Sequence, residues 1–209
     1  MLYHKPSQTA FVLVSRAAST ALKKYLIEIG FKYPLVFAPS KAGYYSHATY
    51  ATAIAQYPNL ANYTTYGVFR DPLDRFLSAL RFLWKNSVDN PSVVGHDISL
   101  CSSYDEMVHE IFNWDPQFQT GSEFTQEVFA PQTDWLAENV QIIDYRYIGN
   151  QIRSITATQN SSGLEFRRTN ASPTHSFAAA SDTVRQFVKS RYAADYSLAA
   201  ANSIGVPSA

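Results

Sequence analysis

The stretch "YGVFRDPLDRFLSALRF", residues 66–82, decides the fold. Together with the two threonines before it, "TTYGVF" is a run of strand length with no helical period. Beyond it, Leu73, Phe76, Leu77, Leu80, Leu83 and Trp84 form the single apolar stripe of a helix. At the junction, Asp71 suits an N-cap, Pro72 suits the first helical position, and Asp74 puts negative charge in the first turn. The reading is a buried strand that turns directly into a helix, with Arg70 at the strand's carboxyl end. Residues 71, 74, 75 and 78 fall on one helical side, which sets Ser78 near whatever Arg70 holds. An ordinary ion pair of Arg70 with Asp74, with Asp71 a plain cap, accounts for the same residues.

The same order of elements occurs earlier. "AFVLVS", Ala10 to Ser15, is a continuous apolar run of strand length. After "RAAST", the segment "ALKKYLIEIG" places Leu22, Tyr25, Leu26 and Ile29 at helical spacing, and Gly30 is a natural stop. Further on, Ser103 and Glu106 form a capping box before "MVHEIF", with His109 on the exposed face. "VQIIDYRYIG" reads as one or two short strands, and Asp182 caps a last helix. Residues 86–130 otherwise look irregular, and residues 158–176 are a loop rich in Ser, Thr and Asn. Strands alternating with helices predict an α/β fold of three layers, with a central parallel sheet flanked by helices. No repeat or long linker divides the chain, so one domain over residues 1–209 is expected.

Composition narrows the function classes. The formal net charge is zero, from 17 basic and 17 acidic residues, which disfavours a broad nucleic-acid surface and confines any anion site to a local feature. The single cysteine, Cys101, excludes a disulfide within the chain and suits a reducing compartment. The apolar run near the N-terminus is too short for a membrane span or a signal core. The expectation is a cytoplasmic protein without a membrane partner, in which the sequons at Asn62, Asn160 and Asn170 carry no meaning. No metal site is expected.

In a parallel sheet, ligands bind past the carboxyl ends of the strands, where helix N-termini offer free N–H groups and positive potential. Both turns lie there. The first adds Arg16, Ser19 and Thr20, and the second adds Arg70. "SRAAST" lacks the glycines and the Gly-Lys-Ser/Thr end of a Walker A loop, which disfavours a nucleoside triphosphatase.

"FRDPLDRFLSALRF" resembles the RDPxxRxxSxY signature of sulfotransferases that use 3′-phosphoadenosine 5′-phosphosulfate (PAPS). "VSRAASTAL" stands in the place of the family's PKxGGTSL-type loop. "FAPQTDWL", "RRTNASP" and "YAADYSLA" resemble later elements of the carbohydrate branch, and "GYYSHATY", residues 43–50, resembles the Gly-Phe-Tyr-x-x-His region of the uronosyl 2-O-sulfotransferases. The resemblance implies a P-loop-NTPase-like fold and in-line sulfuryl transfer to a hydroxyl acceptor, an acceptor carbohydrate in that branch. It implies that Arg70 and Ser78 bind the 3′-phosphate. Arg16, Ala17, Ala18, Ser19, Thr20 and Ala21 would bind the 5′-phosphosulfate, with Arg16 stabilising the leaving oxygen. His47 would be the general base, a task that suits imidazole. Trp84 and Gln132, with Trp114, Phe118 and Trp135, are expected on the acceptor side. Arg167 and Arg168 either close over the adenosine phosphates or are solvated.

Three departures from the family pattern stand out. Arg16 replaces a lysine, so it keeps the charge but cannot give up a proton. Ala18 and Ser19 replace glycines. "YIGNQIRS" lacks the glutamate that often follows in the family. The alternatives are a non-catalytic PAPS- or adenosine-bisphosphate-binding protein, a small-molecule kinase-like transferase, and a structural protein whose turns are only caps.

Overall fold

The structure, a computed structural model, describes residues 1–33, 47–89, 97–119, 123–136, 138–157, 165–166 and 177–205. They group into two compact units. The first is Met1–Arg70 with Gln132–Ala171, and the second is Asp71–Pro131 with Ser172–Ala209. The chain passes from one to the other between Arg70 and Asp71. Nothing in the composition marks that boundary, because it falls inside a continuous strand-to-helix junction rather than in a linker.

The first unit is built on a four-stranded sheet in the order β1 (Leu2–His4), β2 (Thr9–Val12), β3 (Thr64–Phe69), β4 (Val140–Asp144). It is mixed rather than wholly parallel. β2, β3 and β4 run parallel, while β1 pairs antiparallel with β2 as a hairpin. β1 is three residues long, and its signal in "MLYH" is too short to read as a strand. β2 ends at Val12, earlier than the apolar run suggests, and all four of its residues are buried. "VQIIDYRYIG" becomes β4, one 3-10 turn and the start of a helix. Among the described strands the order rises in one direction, so no switch point of a doubly wound sheet is formed. What remains of that rule is that β2, β3 and β4 end at the same edge.

Three helices belong to this unit: α1 (Ser19–Glu28), α2 (Tyr50–Gln56) and α6 (Ile148–Ile155). Gly30 ends α1 as expected. It has φ +98°, and Phe31 N–H reaches back to Leu26 O at 2.9 Å. The Tyr25 and Thr156 hydroxyls, 3.2 Å apart, tie α1 to the end of α6. Gly67 in β3 marks a close approach. A Cβ there would overlap the Leu136 side chain and stand 3.1 Å from Val140 Cγ1.

The second unit is helical: α3 (Pro72–Asp89), α4 (Tyr104–Phe112), α5 (Glu123–Phe129), α7 (Asp182–Arg191) and α8 (Ala193–Ala201). Its core centres on Phe76, whose ring lies 5.3 Å from Phe129, 5.8 Å from Phe187 and 6.0 Å from Phe112. Much of this core comes from the stretch 86–130, expected to be irregular apart from the capped helix that begins after Ser103; the helix Glu123–Phe129 was not expected. Ser181, not Asp182, caps α7 by accepting from Val184 N–H at 3.2 Å. Ser103 caps α4 as predicted, accepting from Glu106 N–H at 3.2 Å, and the Glu106 carboxylate accepts from Ser102 N–H at 2.7 Å. His109 is exposed, as predicted.

Arg75 overturns one expectation. It was placed on a polar side facing a ligand, yet it is 1% exposed. Its Nη2 donates to Ala130 O at 2.7 Å and Val128 O at 3.3 Å, and its guanidinium lies over the Tyr192 ring. Carbonyls at and after a helix end have no intrahelical partner, and a buried cation there satisfies them and the dipole together. Asp71 is a cap, its Oδ1 accepting from Asp74 N–H at 2.8 Å.

Candidate functional site

The site forms where β2, β3 and β4 end, within the first unit. Beyond Val12 the chain runs through Leu13, Val14 and Ser15 and turns at Arg16 and Ala18. Both turn residues are left-handed, with φ +61° and +62°. Such a conformation costs roughly 1–2 kcal/mol for a residue with a Cβ. Ala18 therefore adopts a glycine-type backbone without being glycine. Ala17, 1% exposed, closes the turn by donating to Val14 O at 3.2 Å. α1 then starts at Ser19 with no side-chain cap. The N–H groups of Ser19, Thr20 and Ala21 precede its first turn bond, from Leu22 N–H to Ala18 O at 2.9 Å.

The strand register aligns the corner with Arg70. Val12 lies opposite Gly67, three residues before Ser15 and Arg70 respectively, and Phe69 opposes Asp144. Arg70 Nη1 donates to Arg16 O at 3.1 Å, so the two corners meet. The guanidinium of Arg70 lies 4.7 Å from the Tyr145 ring centroid, just after β4. Asp144 at the end of β4 grips the Arg146 backbone N–H at 2.8 Å and its guanidinium. Burial alone would raise the Asp144 carboxyl, but the bonds from Arg146 hold it below the usual range.

His47 closes the site. Its Nδ1 lies 2.7 Å from Leu13 O. A carbonyl only accepts, so Nδ1 carries the proton and Nε2 keeps the lone pair. Burial pushes the imidazole down to about 4, against the pull of the Leu13 bond, and the N-terminal ammonium, Lys23 and Arg16 oppose a further positive charge. The ring is therefore neutral over the physiological range. It borders a cavity of about 430 Å³, lined also by Ser19, Thr20, Lys23, Lys24, Ile27 and Glu28 along α1.

A short turn that the sequence reading assigned to the acceptor side proves to be structural support. Gln132 is fully buried, its Oε1 accepting from Arg70 N–H at 2.9 Å and its Nε2 donating to Arg70 O at 2.8 Å. Trp135, 2% exposed, donates its indole N–H to His47 O at 2.7 Å. The signal available was the Gln–x–x–Trp spacing, which by itself does not say which peptide each side chain binds.

The structure thus brings together Arg16, Ala17, Ala18, Ser19, Thr20, Ala21, His47, Arg70 and Gln132 in one unit. Ser78 and Trp84 lie in the other. Ser78 is buried on α3, and Trp84 packs edge-on against Phe177 with ring centroids 5.6 Å apart. Tyr145, Lys23 and Lys24 were missed. Tyr145 sits in a segment read as strand, and the two lysines look like an ordinary solvated helix face. Arg167 and Arg168, and the "GYYS" before His47, lie outside the described residues. Among the described residues no group of three or more His, Cys, Asp or Glu could hold a metal, and no helix is long and apolar enough to cross a membrane. No family model, no curated protein and no solved structure matches the chain.

Proposed function

We propose that the chain is a PAPS-dependent sulfotransferase of the P-loop-like, three-layer type, acting on a hydroxyl acceptor, a carbohydrate by the branch it resembles. The observation that carries this reading is the hydrogen bond of Arg70 to the Arg16 carbonyl. It joins the RDP arginine and the phosphate-loop corner at one sheet edge, with an imidazole lone pair beside them.

The residues present fit a sulfated nucleotide. Ser19, Thr20 and Ala21 offer backbone N–H groups at a helix N-terminus, and Arg16 offers a permanent cation. Arg70 is braced against Tyr145, so a 3′-phosphate meets a guanidinium whose position is already set. PAPS supplies the sulfuryl group, and the electrons of the broken S–O bond leave with adenosine 3′,5′-bisphosphate. Arg16 and the helix dipole stabilise the charge that grows on the leaving oxygen. His47 Nε2 takes the proton from the acceptor hydroxyl as its oxygen bonds to sulfur. An anion at the corner offsets the repulsion from Arg16 and Lys23, the smaller causes of the lowered imidazole, while burial, the largest, remains.

The second reading, a non-catalytic bisphosphate-binding protein, is favoured by one observation. An imidazole near 4 is always unprotonated but weakly basic. Labelled sulfate transfer from PAPS to a panel of hydroxyl acceptors separates the two. His47→Ala is expected to cut turnover by roughly 10²–10⁴-fold and leave bisphosphate affinity nearly intact. Normal turnover of that variant removes His47 as the base. Calorimetric binding of adenosine 3′,5′-bisphosphate without any transfer leaves the binding protein, and no binding overturns both readings.

A further inference from the structure

We infer that the turn Gln132–Leu136 is a positioning element: it holds the end of β3 at Arg70 and the peptide of His47 at a fixed separation, so that a change at either anchor is felt at the other. The inference concerns the site just proposed and deepens that reading. It rests on five hydrogen bonds and one packing contact within five residues. Gln132 pairs with both the N–H and the C=O of Arg70, as a neighbouring strand would. The backbone carbonyl of Gln132 accepts from the N–H groups of both Trp135 and Leu136 at 3.0 Å, which closes the turn. Trp135 binds His47 O, and the Leu136 side chain sits against Gly67 of β3.

The residues that pull on the two anchors are all buried. Gln132 is 0% exposed, Trp135 2% and Leu136 4%, so water cannot replace a lost bond without opening the turn. His47 is held from both sides, its ring by Leu13 O and its carbonyl by Trp135. Freeing the carbonyl lets residue 47 move, and the ring then changes its exposure to solvent and to Arg16, Lys23 and the N-terminal ammonium, the charged groups that face it. In the other direction, the backbone of Arg70 is placed by Gln132, so the guanidinium's reach toward Arg16 O depends on a residue whose amide is bonded to that backbone.

The test crosses the anchors. NMR titration of the His47 imidazole in Gln132→Leu is expected to show its midpoint raised by at least half a pH unit, although the Gln132 amide is bonded to the Arg70 peptide. Adenosine 3′,5′-bisphosphate titrated into Trp135→Phe by calorimetry is expected to bind at least about 5-fold more weakly, although the Trp135 indole N–H is bonded to the His47 peptide. Both measurements are made well below the unfolding transition. A merely structural turn lowers the melting temperature in both variants but leaves the His47 midpoint and the bisphosphate affinity at their original values, which overturns the inference. Gln132→Glu keeps an oxygen for Arg70 N–H and loses the donor to Arg70 O. It replaces Gln132→Leu if that chain does not fold, and the same shift is expected. If the unaltered protein binds no bisphosphate, the proposed function fails while the His47 midpoint in the Gln132 variant still decides the coupling.

Discussion

Arg70 and Arg75 stand five residues apart in one motif, and they serve two different units. Arg70 ends a strand, stays partly exposed, and reaches Arg16 O at the shared edge of three parallel strands. Arg75 sits one turn into a helix, is almost wholly buried, and ties off the carbonyls at the end of α5. The difference shows that a cation's local sequence does not state its task. The Arg70 guanidinium bonds a loop carbonyl and lies against the Tyr145 ring, whereas one sealed in a core is held by the carbonyls it must satisfy.

The sharpest way to break this comparison is to exchange readouts. Arg75→Met is expected to destabilise the second unit by about 3 kcal/mol, because two buried carbonyls lose a charged donor. Below its unfolding transition it is expected to leave bisphosphate affinity unchanged. Arg70→Ala is expected to do the opposite, weakening bisphosphate binding by roughly 10–100-fold with a stability loss of about 1 kcal/mol. Urea unfolding and calorimetry on both variants decide the matter; matched profiles would erase the distinction.

The two units also differ in how they respond to pH. His47 has a folded value of about 4 against an ordinary 6.5. Between those values the unfolded chain takes up a proton that the native one refuses, so the first unit loses stability as pH falls from 6.5 toward 4, by up to roughly 3 kcal/mol. Glu127, on α5, is pushed up to about 7 by burial. From about 4.5 to 7 its unfolded form ionises while the native form stays protonated, so the second unit loses stability as pH rises across that window. Hydrogen exchange followed by mass spectrometry at pH 5 and pH 7 is expected to show β2 opening more readily at the lower value and α5 at the higher. Glu127→Gln is expected to abolish the second trend.

Two smaller changes probe the sheet edge. Gly67→Ala is expected to cost about 1–3 kcal/mol, since the new methyl meets Leu136 and Val140 inside a packed sheet; an unchanged melting temperature would show that the β3–β4 packing gives way easily. Ala18→Gly relieves a left-handed Cβ and is expected to be neutral to about 1 kcal/mol stabilising, the gain being limited by glycine's freedom in the unfolded chain. A loss of stability on thermal unfolding would mean that the Ala18 methyl packs in a way that outweighs its strain.

The sequence alone determined the two strand-to-helix corners, the cap at Asp71, the stop at Gly30 and the residues that gather at the first corner, because these depend on side-chain period and on local backbone demands. Only the tertiary structure decided that β1 turns the sheet mixed, that Phe124, Val128 and Phe129 belong to a helix in a second core, that Arg75 points into that core, and that Gln132 and Trp135 grip the peptides of Arg70 and His47. Those outcomes rest on pairings between residues far apart in the chain. A hydrogen-bonding side chain declares its capacity in the sequence, but its partner is chosen by which distant backbone group is buried beside it.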